Sequence, residues 1–371
     1  MTNKTIYLKG LNGIRAIAAL AVVISHITLG LDKFGLDPYV FGAFEDGKPR
    51  TLDLASYGVS MFFVLSGFLI TYLLCKEKEK ESIDIKKFYL RRILRIWPLY
   101  YVYLFFCLVV IFLFGLDYHG ASIYYYVFYA ANIPFIMGTA LPFLSHYWSL
   151  GVEEQFYMFW PWLNKIEHKK LIIVSVFLTI LLIGTKISLH LFIPNTILEV
   201  AIGVTRFHCM LIGAIAALLF YEKNNMFLKI TTFKPLQLFA WGILFLVAIN
   251  QYHLASFIDN EIITIISAII IIGQVTDKGV ISLENALFDY LGKISYGIYV
   301  IHPLLIFLFS KVWVNISSYS LLNYFIVYTG VVLGTVLIAH LSYNYLEKPF
   351  LLLKTRKFSV VKSSASKNYL E

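Results

Sequence analysis

Residues 99–115 read LYYVYLFFCLVVIFLFG, seventeen positions without a charge. At 1.5 Å per residue a helix of that length covers about 25 Å, close to the hydrocarbon thickness of a bilayer. A second block, SLLNYFIVYTGVVLGTVLIA at 320–339, makes the same point. The rest of the chain follows suit: of 371 residues 59% are hydrophobic and only 14% charged, with a mean hydropathy of +0.74. Soluble domains carry roughly a quarter charged residues. The fold class is therefore all-α, a polytopic helical membrane protein.

Apolar segments fall at 11–31, 56–75, 93–115, 121–138, 143–163, 171–193, 203–220, 235–250, 257–275, 286–310 and 321–346. The net charge of +9 is gathered between them, at 76–95, 164–170, 221–234 and 348–357. That is the positive-inside pattern of a membrane protein, and it argues against a nucleic-acid partner. With the N-terminus cytoplasmic, the basic loops alternate correctly only if 120–164 makes a single net crossing. One of the segments 121–138 and 143–163 is then interfacial, re-entrant or broken. The expectation is about ten transmembrane helices with both termini cytoplasmic, and one long outer loop at 32–55. Residues 1–350 form the membrane domain and 351–371 a short basic cytoplasmic tail, whose end KSSASKNYLE is expected to be disordered. The first apolar run keeps Arg15 and lacks a small-residue cleavage site, so it reads as an uncleaved anchor. Cys75, Cys107 and Cys209 lie far apart in or beside apolar runs and read as packing residues, with no metal-ligand spacing.

Against this background the polar residues inside the apolar runs stand out. In RAIAALAVVISH (15–26) the eleven-residue step from Arg15 to His26 is close to three helical turns, which puts both on one face. The two are separated by roughly 16 Å along the axis. Arg15 reads as an interfacial anchor or a ligand group, and His26, beside Ser25, as an interhelical hydrogen bond or a functional group at depth. In RRILRIWP (91–98) Arg91, Arg92 and Arg95 share a face. Arg91 fits a positive-inside stop, while Arg95 lies a turn further in, where a guanidinium fork suits phosphate. In HYWSLGVEEQFYMFWP (146–161) Glu153 and Glu154 sit inside a membrane-compatible segment, with Glu153, Tyr157 and Trp160 on one face. Ser295, Tyr299 and His302 share a face in ISYGIYVIHP (294–303), and Glu347 with Lys348 ends the last run. Arg206 and His208 open another.

Taken in order, LNGIRAIAALAVVISH, VSMFFVLSGFLIT (59–71), FYLRRILRIWPLYY, HYWSLGVEEQFYMFWP, ISYGIYVIHPLL and YLEKPF resemble the integral-membrane acyltransferase 3 family. That family is also called the O-antigen and exopolysaccharide O-acetyltransferase family. The resemblance covers nearly the whole chain. It implies about ten helices and a multi-pass protein of the bacterial cytoplasmic (inner) membrane. It also implies an acyltransferase for groups other than aminoacyl, with acyl-coenzyme A, usually acetyl-CoA, as donor co-substrate. The acceptor is a hydroxyl on lipopolysaccharide O-antigen, capsule, exopolysaccharide or peptidoglycan. No appended extracytoplasmic domain is expected after Glu347. His208 departs from the pattern, which has an acidic residue near that position.

Acyl transfer from a thioester requires a base, a held donor and stabilisation of an oxyanion. His26 is the candidate base, or a nucleophile through an acyl-histidine. Arg15, Arg92 and Arg95 are the candidates for the coenzyme A phosphates. Glu153 is assigned to orient His26 or neutralise an arginine, and Trp148, Tyr157, Tyr299, His302 and Glu347 complete the candidate set. A bundle with buried His, Arg and Glu also suits a transporter of an acidic or lipid-linked solute, although no internal repeat is visible. A receptor or assembly scaffold is the third reading, and it would tolerate loss of His26 or Arg95.

Overall fold

The computed structural model describes residues 7–44, 47–313 and 320–359. Among them lie sixteen α-helices and no β-strand, with one isolated bridge between Ala43 and Pro49. The long elements are α1 (Leu11–Leu29), α2 (Asp53–Lys78), α3 (Ile85–Leu113), and then two short pieces, α4 (Ser122–Val127) and α5 (Asn132–Ile136). They are followed by α6 (Trp148–Leu163), α7 (His168–Phe192), α8 (Ile197–Thr205), α9 (Phe207–Tyr221), α10 (Asn225–Thr231) and α11 (Lys234–Ala248). The chain closes with α12 (Asp259–Val275), α13 (Ala286–Lys293), α14 (Ser295–Val312), α15 (Ser320–Ser342) and α16 (Lys348–Lys357). A π-helical turn, Tyr343–Glu347, joins α15 to α16.

Seven stretches are long and apolar enough to cross a membrane: α1, α2, α3, α7, α8 with α9, α14, and the run Leu321–Lys357. The bent pair α10 and α11, at 53° to each other, makes an eighth if it is one span. Helices α6 and α12 are shorter, at 16 and 17 residues. Three boundaries differ from the sequence expectation. The segment 121–138 is the broken one, split into α4 and α5 of 6 and 5 residues, neither of which can cross a bilayer. The run 286–310 is divided at Ile294 into α13 and α14. The run expected at 203–220 starts earlier, at Ile197, and breaks at Arg206, whose φ of 42° is left-handed and ends α8. Residues 351–357 of the expected tail belong to α16, where Leu351 and Thr355 are buried; the stretch KSSASKNYLE lies outside the described residues.

Broken backbone at membrane depth survives only if protein satisfies its polar groups. Tyrosines of α3 and its neighbours do this. Tyr100 Oη donates to Tyr126 O at 2.7 Å and Tyr101 Oη to Val127 O at 2.9 Å. Tyr103 Oη donates to Phe143 O at 3.2 Å, and Ser122 Oγ to Thr139 O at 2.8 Å. Tyr126 Oη in turn accepts from Leu141 N at 3.2 Å. The aromatic excess around 99–147 is thus a set of hydrogen-bond donors on rigid apolar bodies.

Helices α2 and α9 pack most closely. A Cβ added at Gly67 would stand 2.0 Å from Met210 O, and one at Gly213 would stand 2.0 Å from Val64 O. Glycine lets the two backbones touch, the usual way to gain contact where lipid offers no hydrophobic incentive. Helix α1 threads between α2, α13, α14 and α15.

One end of the bundle collects both ends of the described chain. Lys9 pairs with Asp277 at 2.6 Å and Gly10 N donates to Glu284 at 2.8 Å. Lys78 donates to Ile166 O at 2.6 Å, and Arg91 donates to Phe358 O at 3.0 Å. Asp84 caps α3 by accepting from Lys87 N at 2.9 Å, and that bond holds its carboxyl below the ordinary aspartate range. The opposite end carries the 3-10 turns Leu31–Phe34 and Tyr39–Phe41 and the contact from Asp53 N to Asn250.

Tyr100→Phe keeps the ring and removes the shorter of the two hydrogen bonds to the Tyr126 carbonyl, leaving the 3.4 Å bond from Tyr129 N, so it should cost about 0.5–1.5 kcal/mol. Thermal unfolding in detergent should show a lower Tm, whereas Tyr118→Phe, at an exposed loop position, should leave it unchanged.

Candidate active site

His26 enters the interior on α1 and meets His302 of α14. Nδ1 of His26 lies 2.7 Å from Nε2 of His302, with the ring centroids 4.9 Å apart. Nδ1 of His302 is 3.1 Å from Ile298 O, one turn back on its own helix. A third ring, His146, sits 5.4 Å from His302 and places its Nε2 3.1 Å from Val300 O. Tyr299 Oη donates to His146 O at 2.9 Å and lies 2.7 Å from Ser149 Oγ. His302 and His146 are buried, whereas His26 keeps part of its surface open. Nε2 of His26 bonds to no described residue. The rings of three separate elements therefore converge; His146 Nδ1 is buried without a partner, and Nε2 of the partly open His26 is the free nitrogen that is not sealed in.

Toward the basic end lies Glu153, on α6. It accepts from Ser66 Oγ of α2 at 2.7 Å and from Tyr157 Oη at 3.5 Å. It does not hold His26, whose Nδ1 is taken by His302. Glu153 instead lies in the field of Arg92, Arg95 and Arg15. Beside it, Glu154 has a buried Oε1 with no partner. Arg92 stacks its guanidinium over Tyr157 at 5.1 Å and over Phe88 at 5.9 Å. Glu347, buried, accepts from Ser342 Oγ at 3.2 Å and faces Arg95.

The arginines divide into two kinds. Arg91 forms an ion pair with buried Glu77 at 2.6 Å. Arg92 and Arg95 make no hydrogen bond or ion pair with a described residue, and Arg92 Nε is buried without a partner. Among the described residues Arg15 bonds only to Asn12, at 3.2 Å. Lys354 of α16 adds its charge to Arg15, Arg91, Arg92 and Arg95. Cations held together in partly dry surroundings, near Glu153 and Glu347 but ion-paired to neither, form an anion-binding arrangement that suits phosphate groups.

Trp148 stands apart, with the Arg206 guanidinium 5.5 Å from its ring centre and Phe135 stacked at 5.5 Å. Arg206 donates to Gly203 O and Ser60 Oγ at 2.8 and 3.0 Å. At the unusual His208, the carboxylate comes from α12: Glu261 Oε1 lies 3.2 Å from His208 Nε2 and 2.6 Å from Lys186 Nζ. The three cysteines are buried free thiols. His146, Ser149, Ser66 and Lys354 were not among the candidates from sequence. His146 and Ser149 stood inside the quoted 146–161 motif, and that was their only signal. Lys354 looked like one more tail charge.

The family model described as an acyltransferase domain matches residues 8–342. The chain belongs to this acyltransferase family. It is 27% identical to the peptidoglycan O-acetyltransferase OatA of Listeria monocytogenes over 98% of this chain and 58% of that protein. It is also 27% identical to the O-acetyltransferase OatA of Staphylococcus aureus (strain NCTC 8325 / PS 47), over 92% and 57%. A putative O-acetyltransferase of S. aureus (strain COL) is 28% identical over 93% and 57%. The chain thus spans under three-fifths of the length of these relatives. No solved structure matches it.

The two kinds of arginine should separate in a thermal-unfolding experiment. A double-mutant cycle of Arg91→Ala and Glu77→Ala should return a coupling of about 0.5–3 kcal/mol. Arg92→Ala and Arg95→Ala, which remove no ion pair, should leave Tm near the wild-type value.

Proposed function

We propose that this chain is a membrane O-acyltransferase that moves an acetyl group from cytoplasmic acyl-coenzyme A to a hydroxyl of a cell-surface carbohydrate. The observation that carries this reading is the free Nε2 of His26, held by the three-histidine cluster at depth and separated from an unpaired cation cluster at one end of the same bundle. Family membership supplies the reaction type. Peptidoglycan, named for the Listeria relative, heads the acceptor candidates, ahead of O-antigen, capsule and exopolysaccharide.

In this reading the basic end is cytoplasmic, as the positive-inside rule requires. The eight stretches, together with α6 and α12, make up the ten spans. Arg15, Arg92, Arg95 and Lys354 hold the phosphates of the donor, and the extended pantetheine arm reaches along α1 toward His26. The acceptor hydroxyl approaches from the opposite end. Its proton passes to Nε2 of His26 as its oxygen attacks the acyl carbon. The tetrahedral intermediate then collapses, breaking the carbon–sulfur bond, and the departing thiolate takes the proton back from Nε2. Base catalysis of this kind contributes about 10²–10⁴-fold. Glu153, hydrogen-bonded to Ser66 and set among the arginines, fixes the inner end of the donor channel and balances part of its charge.

In cells, the test is NMR of surface polysaccharide and wall glycan before and after mild base. Wild-type protein should give a base-labile acetyl ester, and His26→Ala, at equal membrane abundance, should not. An undiminished ester with His26→Ala would remove the histidine from the mechanism. No ester on any glycan even with wild type would favour export of an acidic or lipid-linked solute. In binding assays, Arg95→Ala should weaken coenzyme A affinity by tenfold or more, about 1.4 kcal/mol.

A further inference from the structure

The directions of the hydrogen bonds around His26 have a chemical consequence for which nitrogen carries the proton. A carbonyl only accepts, so His302 Nδ1, 3.1 Å from Ile298 O, must carry hydrogen. In the neutral ring its Nε2 is then a lone pair. His26 Nδ1 lies 2.7 Å from that lone pair and must be the donor. Among the described residues no hydrogen bond or ion pair joins either ring to a carboxylate, so nothing compensates a charge on His302, which is 0% exposed. The relay therefore runs in one direction, from His26 Nε2 (lone pair) through Nδ1–H to His302 Nε2, and from His302 Nδ1–H to the α14 backbone.

From this geometry we propose that His302 is the positioning residue of the reaction: it holds His26 in the tautomer whose Nε2 is an unprotonated base. The proposal rests on the reading of His26 as the group that meets the acceptor. Its chemistry is the same as that of a carboxylate orienting a catalytic histidine, with a neutral imidazole in the carboxylate's place. When Nε2 takes the acceptor proton, the Nδ1–H···Nε2 bond becomes charge-assisted and strengthens as the imidazolium forms. A carboxylate there would have to sit ionised and dry in the first phase of the reaction, a cost the neutral ring avoids. His146 supports the arrangement by packing on His302 while its own Nε2–H is spent on Val300 O. Pro303, which follows His302 within α14, cannot donate to the Tyr299 carbonyl one turn back. That loosens the helix where the ring must turn inward.

The experiment is histidine-selective ¹⁵N NMR of the detergent-solubilised protein, with the His26 signals assigned by their loss in His26→Ala. Wild-type Nε2 of His26 should resonate as a pyridine-type nitrogen and Nδ1 as a pyrrole-type nitrogen. His302→Gln places an acceptor oxygen near the lost Nε2 and an amide N–H toward Ile298 O, so it should keep that tautomer and stay within tenfold of wild-type transfer. His302→Leu offers no acceptor and should mix the tautomers while lowering transfer by about a hundredfold or more. A pyrrole-type Nε2 in the wild type overturns the proposal, and so does an unchanged tautomer in His302→Leu. If His302→Leu does not fold, the wild-type spectrum alone decides. A pyridine-type Nε2 in a protein that acetylates no glycan would sustain the tautomer assignment while sinking the reaction proposed above.

Discussion

Hydrocarbon does not solvate a charge or an unpaired peptide group, so whatever polar chemistry this chain carries has to be enclosed by its own helices. This constraint sets the arrangement of the bundle. Helix α1, which bears the candidate site residues Arg15 and His26, has 67% of its apolar window buried, whereas α7, whose Lys186 is matched by Glu261 of α12, has 17%. The helix that carries the candidate site is surrounded, and α7 lies largely exposed on the outside of the bundle. The close backbone approach of α2 to α9 and the tyrosine donors of α3 serve the same end. One draws the wall tight behind Ser66, and the other lets the chain break at α4 and α5 without orphaned carbonyls.

Much of this could be read from the sequence, because the bilayer imposes a length and a composition on every crossing. The long apolar runs 11–31, 56–75 and 171–193 became α1, α2 and α7. The charge alternation showed that one of two neighbouring segments must be irregular. It could not choose between them: 121–138 carries no charge whereas 143–163 carries Glu153 and Glu154, yet the uncharged segment is the one that breaks, because the breaks at 128–131 depend on tyrosine hydroxyls from another helix. The division at Arg206 was invisible for a related reason. A left-handed arginine is stabilised by its own bond to Gly203 O and by Ser60, and no local pattern announces that partner.

The candidate residues show the same split. Helical spacing put Arg15 and His26 on one face of one helix, and Ser295, Tyr299 and His302 on one face of another. What spacing could not show was that His26 and His302, 276 positions apart, share a hydrogen bond. Glu153 illustrates the opposite outcome, since two partners were open to it. The structure gives Nδ1 of His26 to His302, and Glu153 to Ser66 and the arginine field. Pairing separates Arg91 from Arg92 and Arg95, which the sequence presents as one cluster. Only the one matched by Glu77 is accounted for by structure alone.

The two polar regions differ in kind. The cations at the basic end have charge to spare, as a site for a polyanionic donor needs, and the histidine cluster has no carboxylate bonded to it among the described residues, which suits a proton acceptor near neutral pH. In the proposed reaction an acyl group passes between these regions by way of His26. The most direct test is to supply purified, liposome-reconstituted protein with acetyl-labelled acetyl-CoA and isolated wall glycan, and to count base-labile label in the glycan. Label transferred by the wild type and absent with His26→Ala is the predicted result. Equal labelling by His26→Ala, or none by a wild type that still binds coenzyme A, would contradict it.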